Sequence, residues 1–228
     1  MSSASPTPFV AAHLALDWVD DGMIVGLGTG RAAFAFLEAL GERVRTRNWK
    51  IKGIASSNFI AQRAEQLGIE LTDLTSVESL DLTVDGADEV DPDRNVVKGL
   101  GGALLREKVL AQSSRLWLLC VGADKHVSQL GARGRLPVEV SPFAVPFVAK
   151  RLSDLGLPAV LRRVADVAFV TDNGNHILDC EVTSLPQPQL THDAIRPIPG
   201  VVETGLFLGM SPIVITQRGS SVEVSARE

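Results

Sequence analysis

The strongest constraint on the fold is a recurring unit: a short apolar run that ends on glycine and is followed by a helical pattern. Met23-Ile24-Val25-Gly26-Leu27 runs into Gly28-Thr29-Gly30, and Ala32 to Leu40 then reads as a helix closing at Gly41. Ile51 to Ala55 predicts a second strand, and Asn58 to Leu67 a second helix ending at Gly68. Leu80 to Val84 predicts a third strand that runs into Asp85-Gly86-Ala87-Asp88. A helix over Ala103 to Ala111 and an apolar strand over Arg115 to Val121 follow. Short, nearly continuous apolar runs are what strands covered on both faces require, and strands alternating with helices at this spacing predict a parallel α/β sheet. Residues 9–21, with Val10, Leu14 and Trp18 on one face, predict a helix ahead of the first strand.

From about Pro137 to Pro199 the pattern changes. Prolines become frequent, a helix is expected near Pro146–Leu155, and strands near Val164–Val170 and His176–Glu181, which together read as an α+β insertion. Apolar strands return at Leu206–Leu208, Ile213–Thr216 and Val222–Val224. The chain has 228 residues, 45% hydrophobic, enough for a substantial core. Its formal net charge of -5 argues against a broad surface for nucleic acid or an anionic membrane. A phosphorylated ligand would need a local basic or amide-rich pocket. No apolar stretch reaches the roughly 20 residues that span a bilayer. Met1 to Pro8 lacks the basic start and apolar core of a signal peptide, so a cytoplasmic protein is expected. Cys120 and Cys180 lie far apart without metal-ligand spacing and read as buried, reduced thiols.

Four segments could carry chemistry. Gly26-Leu27-Gly28-Thr29-Gly30 stands between a strand and a helix, where glycines free backbone N–H groups to meet an anion. The sixth position from Gly26 is Arg31, not the glycine of a dinucleotide site, and no Walker lysine follows. A plain tight turn fits as well. Asp85-Gly86-Ala87-Asp88 lies at the C-terminal end of a buried strand, the edge at which open parallel sheets place ligands. A carboxylate pair there suits proton handling, a divalent cation or a solvated turn. Lys98-Gly99-Leu100-Gly101-Gly102 precedes a helix bearing Arg106, Glu107 and Lys108. Glu107 is a candidate general base, and Lys98 a candidate partner for a developing oxyanion. The same charges would also suit an ordinary surface helix. In Asp124-Lys125-His126, Lys125 could hold a phosphate or stand free in a loop. His13, His126, His176 and His192 show no metal spacing.

Taken in order, these segments resemble the A-type ribose-5-phosphate isomerase family. The likeness extends through Leu136-Pro137-Val138-Glu139-Val140, Thr171-Asp172-Asn173-Gly174-Asn175 and Ile198-Pro199-Gly200-Val201-Val202-Glu203 to Gly205-Leu206-Phe207, nearly the whole chain. It implies a three-layer αβα Rossmann-like domain, residues 1–130 and 200–228, with a smaller α+β domain inserted over 131–199. It implies an aldose-ketose isomerase that interconverts D-ribose 5-phosphate and D-ribulose 5-phosphate through an enediolate. The implied catalytic residues are Glu107 as the proton-carrying base, Asp85 assisting ring opening, and Asp88 and Lys98 at the reactive end of the sugar. Substrate-binding roles fall on Gly28, Thr29, Gly30 and Arg31, on Gly99, Gly101 and Gly102, and on Lys125. The resemblance further implies no metal or organic cofactor, a sugar-phosphate partner with neither nucleic acid nor membrane, and a homodimer or homotetramer.

Two places depart from the family pattern. The glycine turn continues with Arg31-Ala32 where relatives have hydroxyl residues, and Ile60-Ala61 lack the hydroxyls usual at the start of the next helix. Arg31 either supplies charge in their place or points to solvent. Another pentose phosphate as substrate, or a sugar-phosphate sensor domain of the same fold, are the alternatives. A sensor would carry a DNA-binding helix-turn-helix, for which there is no room before the first strand. A sugar-phosphate deaminase or lactonase of this fold would need a different catalytic set.

Overall fold

The computed structural model describes residues 9–226, and the expectation for Met1 to Pro8 lies outside them. A seven-stranded sheet carries the fold. Its order is Ser221–Ser225, Ile213–Arg218, Ser114–Gly122, Leu80–Asp85, Ile24–Leu27, Lys52–Ala55 and Glu70–Leu71. Every neighbouring pair is parallel except the edge hairpin of Ile213–Arg218 with Ser221–Ser225. From Ile24–Leu27 the chain winds outward to Lys52–Ala55 and Glu70–Leu71, then returns to place Leu80–Asp85 on the other side of Ile24–Leu27. That reversal opens a crevice at the C-terminal ends of the two central strands.

Strand alternation sends successive side chains to opposite faces. Leu118 and Cys120 pack with the N-terminal helices and with Phe36, Leu37 and Leu40. Trp117, Leu119 and Val121 pack on the other side with Leu104, Ala111 and Phe207. Helix Arg31–Arg47 therefore covers one face, and helix Leu104–Gln112 the opposite one.

Beyond the parallel sheet, a four-stranded antiparallel sheet has the order Val201–Thr204, Arg135–Val140, His176–Glu181, Ala159–Leu161. Helices Val145–Asp154 and Pro188–Ile195 accompany it, and Val138, Val148, Leu152, Leu178 and Ile195 belong to a separate core there. Short strands Glu89–Val90, Val96–Val97 and Leu206–Phe207 form a third sheet. Cys120 and Cys180 are buried free thiols. No helix among the described residues is long and apolar enough to cross a membrane.

Several elements differ from their sequence expectation. The first helix is split into an α-helical Val10–Leu14 and a 3-10 turn Ala15–Trp18. The helix expected to stop at Gly41 continues to Arg47 and ends on Asn48, which takes the left-handed conformation at φ 54°. Gly41 is a packing glycine: a Cβ there would stand 2.8 Å from the Leu67 side chain. The run Val164–Val170 is not one strand. Arg163–Val164 folds back on Val167–Ala168 through Ala165 and Asp166, both at positive φ. The strand Arg135–Val140, with Pro137 inside it, and the helix Pro188–Ile195 had no strand or helix expectation.

Candidate active site

Four segments converge on the crevice. Residues 29–32, 86–88, 98, 99, 101, 120–122, 124 and 125, with Glu107 and Phe9, line a cleft of about 170 Å³. The parallel ladder sets the first approach. Leu27 pairs with Val84, and the Gly28 N–H then donates to the Val84 carbonyl at 3.0 Å. This lays Gly28 directly on Asp85: a Cβ at position 28 would sit 2.3 Å from the Asp85 carboxyl carbon and 2.7 Å from its Cα. Only glycine allows that contact.

Asp85 ends its strand fully buried. Its Oδ1 accepts the Gly86 N–H at 2.7 Å and faces Lys98 Nζ at 3.1 Å. Lys98 Nζ also lies 3.3 Å from Glu107 Oε1 and donates to the Gly86 carbonyl at 2.5 Å. Lys98 and Glu107 are 3% and 5% exposed, so the trio is shut off from bulk water. One ammonium thus faces two carboxylates at low dielectric. Asp85 Oδ2 and Glu107 Oε2 are buried without a hydrogen-bond partner among the described residues. An unpaired carboxylate oxygen in such a place favours the protonated acid.

Burial pushes Glu107 up to about 8; Lys98 works against this, and the Asp85 and Asp88 charges add to it. Burial likewise raises Asp85, against the pull of Lys98 and the hydrogen bond from Gly86. Burial disfavours the Lys98 ammonium, but the charges of Asp85, Glu107 and Asp88 outweigh it and hold Lys98 firmly protonated. A carboxyl poised near neutrality beside a fixed cation can take and return a proton.

The glycine turn closes the floor. Gly99 at φ 108° and Gly102 at φ 85° are joined by a hydrogen bond from the Gly102 N–H to the Gly99 carbonyl at 3.0 Å. The Leu100 N–H donates to Asp88 Oδ2 at 3.0 Å, so Asp88 holds the turn from the cleft side. Thr29 Oγ1 is tied to Ser56 Oγ at 2.7 Å and to Ser57 Oγ at 2.9 Å. The hydroxyls retained in the second loop therefore fix Thr29 while Ile60 is buried. Gly30, at φ 111°, caps the 17-residue helix that starts at Arg31, and the first turn of that helix borders the cleft. Arg31 and Lys125 line the same cleft, and neither has an ion-pair partner among the described residues. Among the described residues no group of three or more His, Cys, Asp or Glu is arranged to hold a metal ion.

Of the twelve residues singled out in the sequence, nine line this cleft; Asp85 lies buried behind it on Lys98, Gly28 rests on Asp85, and Gly102 ends the glycine turn against Phe169. Its other walls were missed. Phe9 comes from before the first strand, and Cys120 and Asp124 from the strand ending Ser114–Gly122 and the turn after it. Arg106 and Lys108, which flank Glu107, both have fixed partners. Arg106 donates to Asn173 Oδ1, Asn58 Oδ1 and the Asp172 carbonyl at 2.8, 3.1 and 2.9 Å. Lys108, buried, donates to Glu203 Oε1, the Thr204 carbonyl and the Leu206 carbonyl, each at 2.8 Å. These bonds lock the helix that presents Glu107. The signal for them was faint, because charges in a helix's first turns read as a solvated face.

Residues 52–220 match the family model of ribose 5-phosphate isomerase A (phosphoriboisomerase A). The chain is 46% identical over 215 residues to the ribose-5-phosphate isomerase A of Gloeobacter violaceus, covering 94% of this chain and 93% of that one. The ribose 5-phosphate isomerase A structure from Methanocaldococcus jannaschii superposes with a TM-score of 0.91 at 33% identity, over 96% of this chain and 98% of that one. A D-ribose-5-phosphate isomerase solved in complex with phospho-erythronic acid matches equally, with a TM-score of 0.91, 33% identity and coverage of 96% and 97%. An α/β sheet with its crevice at the strand switch, a near-complete sequence match and a near-complete superposition agree: this chain belongs to the ribose 5-phosphate isomerase A family.

Proposed function

We propose that the crevice interconverts D-ribose 5-phosphate and D-ribulose 5-phosphate through an enediolate. The observation that carries the proposal is Glu107: a buried carboxyl raised to about 8, with one free oxygen and Lys98 at 3.3 Å. The furanose opens as Asp85 accepts the anomeric hydroxyl proton, the bond between C1 and the ring oxygen breaks, and the proton is passed on to that departing oxygen. Glu107 then removes the C2 proton, which is acidic because the neighbouring carbonyl delocalises the charge. Lys98 and the Gly101 N–H, which lines the cleft, meet the enediolate oxygens, each such donor contributing about 3 kcal/mol at the transition state. Asp88 holds the turn in register. The O2 hydroxyl proton passes to O1, C2 becomes the carbonyl carbon, and Glu107 returns its proton to C1. The phosphate lies toward Lys125, Arg31 and the N-terminus of helix Arg31–Arg47, where Gly28, Thr29 and Gly30 shape the backbone and free N–H groups favour an anion. The scheme asks nothing of a metal or organic cofactor.

Two units fit this scheme, a catalytic domain of residues 1–130 and 200–228 and an inserted domain of 131–199. The separate core under the antiparallel sheet supports the division. The chain completes that sheet with Val201–Thr204 before it returns to the parallel one. A place in the non-oxidative pentose phosphate reactions, cytoplasmic location and a homodimer or homotetramer belong to the same proposal and rest on the family likeness. The net charge of -5 supports a small-molecule partner over nucleic acid or membrane.

The test is a coupled assay of the EDTA-treated protein with ribose 5-phosphate, arabinose 5-phosphate and unphosphorylated ribose. Fast turnover of ribose 5-phosphate alone is expected. A folded sample that leaves it unchanged would overturn the assignment.

A further inference from the structure

The Gly99–Gly102 turn is gripped from behind by residues outside the site. Arg162 stands just after strand Ala159–Leu161 of the antiparallel sheet. Its Nη1 donates to the Gly99 carbonyl at 2.8 Å and the Leu100 carbonyl at 3.1 Å. Its Nε and Nη2 hold Asp179 Oδ2 at 2.8 Å and Oδ1 at 2.5 Å, a two-point pair anchored in strand His176–Glu181. The guanidinium lies 5.9 Å from the Phe169 ring centre, and a Cβ on Gly102 would meet that ring at 2.4 Å. The turn thus rests on a platform of Arg162 and Phe169.

The bonds fall on particular peptide units. The peptide joining Gly99 to Leu100 has its carbonyl on Arg162 and its N–H on Asp88. The peptide joining Leu100 to Gly101 has its carbonyl on Arg162, and its N–H belongs to Gly101, which lines the cleft. A cation on a carbonyl oxygen polarises the peptide and strengthens its N–H as a donor. A planar five-donor fork can hold two carbonyls and a carboxylate at once; an ammonium cannot hold the same geometry.

We infer that Arg162, oriented by Asp179, is a positioning residue for the reaction: it fixes and polarises the Gly99–Gly101 peptides so that the Gly101 N–H, the one of the two not given to Asp88, meets an enediolate oxygen. This deepens the proposed function and rests on it. Donors aimed at where charge develops act on the transition state more than on the bound sugar. Losing the fork should therefore lower kcat and leave KM nearly alone.

The experiment compares the full-length parent with Arg162→Met, Arg162→Lys and Asp179→Asn. Measured are kcat and KM for ribose 5-phosphate, the thermal midpoint, and inhibition by 4-phosphoerythronate, whose planar carboxylate imitates the enediolate. Arg162→Met is expected to lower kcat about 10- to 100-fold with KM within about threefold, and to weaken the inhibitor in parallel. Arg162→Lys should recover part of both losses, and Asp179→Asn should fall between. A folded Arg162→Met with kcat within twofold of the parent overturns the inference. So does a kcat loss with unchanged inhibitor affinity, which marks Arg162 as a structural pin only. Should Arg162→Met fail to fold, Arg162→Lys decides alone: parent-like kcat and inhibitor affinity overturn the inference, and parallel losses of both support it. An inactive parent points instead to failure of the underlying assignment.

Discussion

Glu107→Gln separates the proposed proton carrier from its surroundings and makes a quantitative demand on stability. Glutamine keeps the shape of the protonated acid but cannot ionise. In the folded protein Glu107 is raised from an ordinary 4.5 to about 8, chiefly by burial. Its contribution to stability is therefore fully present below pH 4.5 and is lost as the pH rises toward 8, because the folded state holds a proton that the unfolded chain releases. Each pH unit in that window costs about 1.36 kcal/mol. The variant should be more stable than the parent by about 1 kcal/mol at pH 5.5 and about 4 kcal/mol at pH 7.5. The gain should level off near 5 kcal/mol, in round terms about the full shift, above pH 8. Turnover should meanwhile fall about 10²- to 10⁴-fold, the usual worth of a positioned general base. Urea unfolding of both proteins at several pH values reads the difference, since groups unaffected by the change cancel. A pH-independent difference would refute the burial argument. Near-parental turnover would refute the assignment of Glu107 as base.

Three further outcomes follow from the site. For the parent, kcat/KM should climb as pH rises from 6 and level off above about 8, because the base acts deprotonated and Glu107 is raised to about 8; a flat profile over this range would contradict it. Gly28→Ala should cost about 1–3 kcal/mol of stability and most of the activity, since its methyl would stand 2.7 Å from the Asp85 Cα, where backbone must move; thermal melts and kcat measure both. Lys125→Ala and Arg31→Ala should each raise KM for ribose 5-phosphate and leave the stability within about 0.5 kcal/mol, as neither pairs with a carboxylate among the described residues; unchanged KM in either would place that residue's charge outside the phosphate site.

The sequence made the reactive centre legible because its chemistry is local. Gly28, Asp85 and Asp88 sit at strand ends beside the crevice, where backbone geometry forces glycine at 28 and brings the Asp88 carboxylate to the cleft. Glu107 and Lys98 stand nine residues apart across one glycine turn, close enough for their roles to be weighed together. What could not be read depends on contacts between distant segments. Gly41 looks like a helix stop until Leu67 is seen against it. Ala165 and Asp166 turn the chain at positive φ without a glycine to announce it. Arg162, Asp179 and Phe169 carry no catalytic pattern, and only the packing of the antiparallel sheet brings them under the turn.

The anchoring of Lys108 has a consequence for biosynthesis. Its three bonds reach acceptors 95, 96 and 98 residues further along the chain. Strand Arg135–Val140 likewise waits for Val201–Thr204 to cover its second edge, and Ser114–Gly122 for Ile213–Arg218. Contacts of such long sequence separation form slowly, after their loop entropy has been overcome. A nascent chain emerging from the ribosome can build its first strands and helices early, and Arg106 finds Asn58 and then Asp172 and Asn173, yet the Lys108 side of the helix bearing Glu107 has no anchor until Glu203 is synthesised. Anchoring of Lys108 is thus a late event in this chain's maturation, and termination before Glu203 removes all three of its acceptors.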